Sequence, residues 1–139
     1  MKNFFQKWPF MLLLLAAVAV EAQTPSARDG VYTKAQALRG KVVYDKSCAS
    51  CHATVPKGPV SSTSRGPDLG GDEFLTRWNG KPASHLAKLI LDTMPSDFSM
   101  EMTAPISLDL TAYLLQVNKF PDGKPELTAE TANAVIIVK

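Results

Sequence analysis

Cys48-Ala49-Ser50-Cys51-His52 constrains this chain more than any other stretch. Two thiols three positions apart, followed at once by an imidazole, form the spacing of a covalent c-type haem attachment site in an exported protein. Each thiol adds to one vinyl group of the macrocycle, and the histidine is then held under the iron as its proximal ligand. Such a chain is expected to wrap its helices and loops around that group.

Other uses of the same residues fit less well. Zinc wants four ligands, and this chain has two cysteines and two histidines, with His52 abutting Cys51 rather than pairing with His85 at a finger-type spacing. A thioredoxin-like redox pair would sit at a helix start within a strand-rich α/β pattern, which the chain lacks. A disulfide between Cys48 and Cys51 would close a tiny loop and constrain little.

The first residues carry an export signal. Lys2 and Lys7 form a basic start, Phe10 to Val20 is an unbroken apolar run, and Val20-Glu21-Ala22 offers a small-residue cleavage site before Gln23. The run is shorter than a bilayer-spanning helix needs. Residues 1–22 are therefore expected to be a cleaved signal peptide, with no membrane span after cleavage and a periplasmic destination. Residues 23–139 form one small domain. Loss of Lys2, Lys7 and Glu21 takes the formal charge from +2 to +1, which gives no basic stripe for nucleic acid.

Helical signals dominate the remainder, and no strand-rich core or internal repeat is evident, so the expected class is all-α with long loops. Residues 23–32 look like a loose leader. Thr33 and Gln36 form a T-x-x-Q capping box opening a helix to about Ser47. Ala35, Leu38, Val42 and Tyr44 give that helix an approximate apolar stripe. Gly40 is costly in a helix interior unless close packing requires it.

Prolines, glycines and serines over residues 53–71 predict a structured loop. Short helices are expected over Asp72–Asn79 and from Pro82 to about Asp92, the latter burying Leu86, Leu89 and Ile90. Ser107 is the expected cap of the last strong helix, and Phe120-Pro121-Asp122-Gly123 its stop. The β-branched end Val135–Val138 is expected to lie extended against the body.

The second axial position on the iron decides the chemistry. Met94, Met100, Met102 and His85 are the candidates. A thioether is a soft ligand that favours ferrous iron. Met94 is the best placed, in an interhelical loop stiffened by Pro95, with Met100 and Met102 in reserve.

With these pieces in order, residues 23–139 resemble class I cytochromes c from end to end. The carrying elements are Gly40-x-x-x-Tyr44, Cys48-x-x-Cys51-His52, Gly66-Pro67-Asp68-Leu69, Met94-Pro95 and the segment Leu110–Leu115. The resemblance implies that the first and last helices cross near Gly40, with Tyr44 and Tyr113 packed together. It also implies that the Pro67 carbonyl accepts the Nδ1 proton of His52, which fixes the ring and strengthens the ligand. His52 and Met94 would be the metal ligands, with one haem c held through Cys48 and Cys51.

A narrower resemblance, carried by Met94-Pro95, Ala104–Leu108, Thr111–Leu115, Asn118–Gly123 and Glu126-Leu127, is to cytochrome subunits of periplasmic quinoprotein or sulfur-compound dehydrogenases. The loop Ser96–Thr103 and the extended loop before Gly66 depart from that pattern. Trp78, which fits it, has two readings there: donating its indole N–H to a haem propionate with Arg65 or Arg77 offsetting the charge, or packing the haem edge. The implied function is carriage of single electrons from a periplasmic dehydrogenase or other donor to a downstream cytochrome or oxidase. The alternatives are a permanently bound dehydrogenase subunit and a haem enzyme or sensor with a displaceable ligand. Lys41, Lys46, Lys57, Lys81 and Lys88 are candidates for steering a partner.

Overall fold

The computed structural model describes residues 24–54 and 66–139. The expected signal segment 1–22, Lys57 and Arg65 lie outside the described residues. Within them the chain is all-α, with two isolated β-bridges and no strand. A 3-10 turn, Ala27–Asp29, precedes α1 (Lys34–Ser47), α2 (Asp72–Trp78), α3 (Ala83–Thr93), α4 (Ala104–Val117) and α5 (Ala129–Ala134). Among the described residues no helix is long and apolar enough to cross a membrane.

Helix α1 opens on Thr33, whose hydroxyl oxygen accepts the Gln36 backbone N–H at 3.0 Å, a side-chain cap on an otherwise orphan donor. The other half of the expected capping box is not made. The buried Gln36 carboxamide instead pairs with the backbone of Leu127, donating through Nε2 at 2.9 Å and accepting at Oε1 at 2.8 Å.

The buried face of α1 runs through Gln36, Ala37, Gly40 and Tyr44. Leu38 and Val42, expected in the apolar stripe, are 59% and 48% exposed. Gly40 decides this face, because a Cβ there would lie 2.0 Å from the Asp109 carbonyl oxygen. The two helices therefore cross at backbone contact. A crossing chosen by the smallest residue leaves two larger apolar ones outside, which a soluble surface tolerates.

Helix α4 begins a turn earlier than its sequence suggests. Thr103 is the N-cap residue rather than Ser107, and Pro105 sits in the first turn, where its missing N–H removes no helical bond. Ser107 turns its hydroxyl back onto the Ala104 carbonyl at 2.9 Å. Leu110 to Leu115 are buried without a break, the mark of a helix covered on all sides. Around it, α2 buries Phe74 and Trp78, and α3 buries Leu86, Ala87 and Ile90. Leu89, expected in the core, is 44% exposed.

Residues 24–32 are not a loose leader. Ala27 and Tyr32 are fully buried, and the Tyr32 hydroxyl donates to the Phe120 carbonyl at 2.6 Å. The tail does lie extended, and it is bonded on two sides. Ile136 N–H donates to Pro25 and its carbonyl accepts from Ala27, while Ile137 N–H donates to Lys81 and the Val135 carbonyl accepts from Ala83. Val135 and Ile137 are buried beneath. Helix α5, capped by Thr128, was not expected.

Candidate cofactor-binding site

Residues 48–52 continue α1 by one tight turn. Cys48 N–H still donates to the Tyr44 carbonyl at 2.9 Å, and the N–H groups of Cys51 and His52 both donate to the Cys48 carbonyl, at 3.0 and 2.9 Å. Helical spacing puts residues three apart on one side, and both half-buried cysteines line the same cleft. No disulfide joins them. Burial pushes the Cys48 thiol above its ordinary pKa, and neighbouring Cys51 adds to the shift.

His52 is fixed at its ring and at both backbone groups. Its Nδ1 lies 2.8 Å from the Pro67 carbonyl oxygen. A carbonyl only accepts, so this nitrogen is the donor, and in the neutral ring the lone pair lies on Nε2. The ring rests against Gly66, where a Cβ would come within 2.4 Å of His52 Cε1. Only glycine lets the strand of chain carrying Pro67 approach this closely.

That approach is secured by Gly66 N–H to the Cys51 carbonyl at 3.0 Å and Leu69 N–H to the Ala53 carbonyl at 2.7 Å. Asn118, buried at the end of α4, holds the far side: its Nδ2 donates to Leu69 at 2.9 Å and its Oδ1 accepts from Gly71 at 3.0 Å. Finally, the Tyr44 hydroxyl donates to the His52 carbonyl at 2.5 Å.

The cleft above this turn has a volume of about 370 Å³, within the range of small-molecule and cofactor sites. Phe74 and Trp78 of α2, Leu86, Leu89 and Ile90 of α3, and Leu110 and Leu114 of α4 supply apolar walls. Met94, the residue that ends α3, is half-buried and lines the same cleft. Met100 and Met102 are not among its lining residues; Met102 packs against the core. His85 is exposed and faces a separate groove between α3, α4 and α5.

Trp78 is 7% exposed. Its ring lies 6.3 Å from that of Phe74 and under the Lys81 ammonium at 5.3 Å, and Arg77 also lines the cleft. The other described steering candidates are placed differently. Lys41 and Lys88 are paired with Asp45 and Asp92 on their own helices, and Lys46 is exposed.

The cleft is lined by two thiols, an imidazole and a thioether among apolar walls, together with the carboxylates of Asp68 and Asp97. The sulfur and nitrogen groups are the soft and borderline ligands of transition-metal centres. Among the described residues no three His, Cys, Asp or Glu side chains converge as a protein-only metal site. A flat, largely apolar metallo-cofactor tethered at Cys48 and Cys51 fits what is present.

Sequence reasoning missed the polar contacts of Tyr44 and Asn118. Tyr44 was legible only as a packing aromatic, and a lone Asn after a helix gives no signal of a partner 49 residues away. Compared with models of known protein families, with curated proteins and with solved structures, the chain matches none.

Proposed function

We propose that this chain is a monohaem c-type cytochrome of the class I fold, carrying single electrons between periplasmic redox partners. It transforms no substrate by itself. The observation that supports this most is a single cleft lined by both thiols, the imidazole and a thioether. When bound, haem supplies a one-electron iron couple.

The chain's own part is to tether, ligate and exclude water. Cys48 and Cys51 would tether the group through two thioether links. His52, with its Nδ1 proton committed to Pro67, would hold the iron through Nε2. Met94 would hold it through its thioether sulfur, a soft donor that favours the ferrous state. Phe74, Leu86, Ile90 and Leu114 keep the cleft apolar, and Trp78 covers its side. The donor is a periplasmic dehydrogenase or similar protein, and the acceptor a downstream cytochrome or oxidase.

The test is production of the full chain in a host with a working cytochrome-assembly system. A pyridine haemochrome spectrum should give one haem per chain in the periplasmic fraction, with a methionine charge-transfer band in the ferric state. Met94→Ala should abolish that band and give a high-spin or exchangeable iron. A colourless protein with both thiols free would overturn the proposal, and survival of the band in Met94→Ala would overturn the ligand assignment.

A further inference from the structure

Tyr44 holds the attachment turn at both ends. Its backbone carbonyl accepts the N–H groups of Cys48 and Ala49, at 2.9 and 3.0 Å, where α1 runs into the turn. Its hydroxyl donates to the carbonyl of His52, where the turn ends. The ring between these two contacts is 5% exposed and lies 5.2 Å from the Tyr113 ring of α4. One rigid side chain, clamped against the central helix, therefore spans the five residues that carry both thiols and the imidazole.

The consequence falls on His52. Its N–H is bound to Cys48, its ring to Pro67 and its carbonyl to Tyr44. Three fixed points determine both the position of its backbone and the tilt of its imidazole. With the hydroxyl removed, the His52 carbonyl loses its donor, and the residue keeps its N–H bond to Cys48 and its ring contacts with Pro67 and Gly66. Packing alone does not need this hydroxyl, since phenylalanine fills the same stack. A buried phenol must find an acceptor, but here the acceptor it finds is the backbone of the candidate ligand.

We propose that Tyr44 is a positioning residue for His52, setting the orientation of the proximal imidazole through the His52 carbonyl and coupling it to the α1–α4 crossing. This rests on the haem-binding function proposed above. Tyr44→Phe is the informative variant, with Tyr113→Phe as control, because it removes a hydroxyl from the same stack without touching His52. Haem content is measured first, by pyridine haemochrome, in the wild type and both variants.

The expected result is unchanged haem stoichiometry in all three. Tyr44→Phe alone should show a shifted reduction potential and a changed pattern of hyperfine-shifted His52 ring resonances in the ferric state. Placing 4-aminophenylalanine at position 44, which returns a donor at the para position, should restore both signatures, also if Tyr44→Phe matures poorly. Wild-type signatures in haem-loaded Tyr44→Phe, or no restoration by the para-amino group, would overturn the positioning role alone. A wild type without covalent haem would overturn the proposed function and this inference with it.

Discussion

Tyr32 illustrates how much one hydroxyl can carry. Burial pushes its phenol up to about 12, helped by the nearby Asp122 carboxylate, from an ordinary value near 10. A raised value means that folding favours the neutral phenol. Its contribution is therefore fully present below about pH 10 and is lost as the pH climbs through about 12. Tyr32→Phe should cost about 1–2 kcal/mol at neutral pH, because the buried Phe120 carbonyl loses its donor. It should also flatten the decline in stability between about pH 10 and 12. Urea titrations at neutral and alkaline pH check both, and parallel alkaline declines in the two proteins would refute the second. None of this was legible in the sequence. Tyr32 stands in a stretch with Pro25 and Gly30 that looks like leader, and its partner lies 88 residues away. Local pattern carries no trace of such a pairing.

At the level of elements, the helices that pack through many apolar positions were legible, and the exceptions have identifiable causes. Serine before Leu108 is a good local cap, so the sequence points to Ser107 as the start of α4. The structure prefers Thr103, since starting there extends the helix and leaves Ser107 buried and bonded to Ala104. Helix α5 escaped notice because only Ala132 of its six residues is buried, too little to make a period. Hydrophobicity points to the wrong face of α1, because the size of Gly40 decides which side is buried. Gly40→Ala tests that point with opposing signs. Helix propensity alone would make alanine stabilising by about 1 kcal/mol. The added Cβ, however, would meet the backbone of α4 at Asp109 and Leu110. Separation of the helices should outweigh propensity and leave a net loss of about 1–3 kcal/mol, seen as a lower urea midpoint with an unchanged slope. A stabilised Gly40→Ala would mean that the crossing is not held at backbone contact.

Over the whole molecule, the site was legible in proportion to how local it is. Cys48, Cys51 and His52 sit on one turn, so their spacing alone announces a shared task. Met94, Trp78 and Pro67 come from three other segments; the soft thioether in a Pro95-stiffened loop points to Met94, whereas Pro67 and Trp78 are legible only through the resemblances. The Asn118 brace and the Tyr44 donor depend on how elements meet in space and could not be read beforehand. These elements surround a cleft rather than a closed core, and this has an energetic consequence. At ~24 cal/mol per Å³, the apolar filling of about 370 Å³ is worth up to roughly 9 kcal/mol. That figure is an upper bound, because the cleft opens to water. It is nonetheless comparable with the whole stability of a small domain, about 5–15 kcal/mol. On the proposed function, a chain of this size should therefore depend on the proposed haem for cooperative folding. The double variant Cys48→Ala/Cys51→Ala, which cannot form either link, should retain helical far-ultraviolet dichroism but unfold over a broad urea range and bind a hydrophobic dye, as expanded compact states do. Steep, two-state unfolding of that variant without dye binding would show that helix packing alone supplies the stability, and that the cleft is a finished surface rather than a core awaiting its centre.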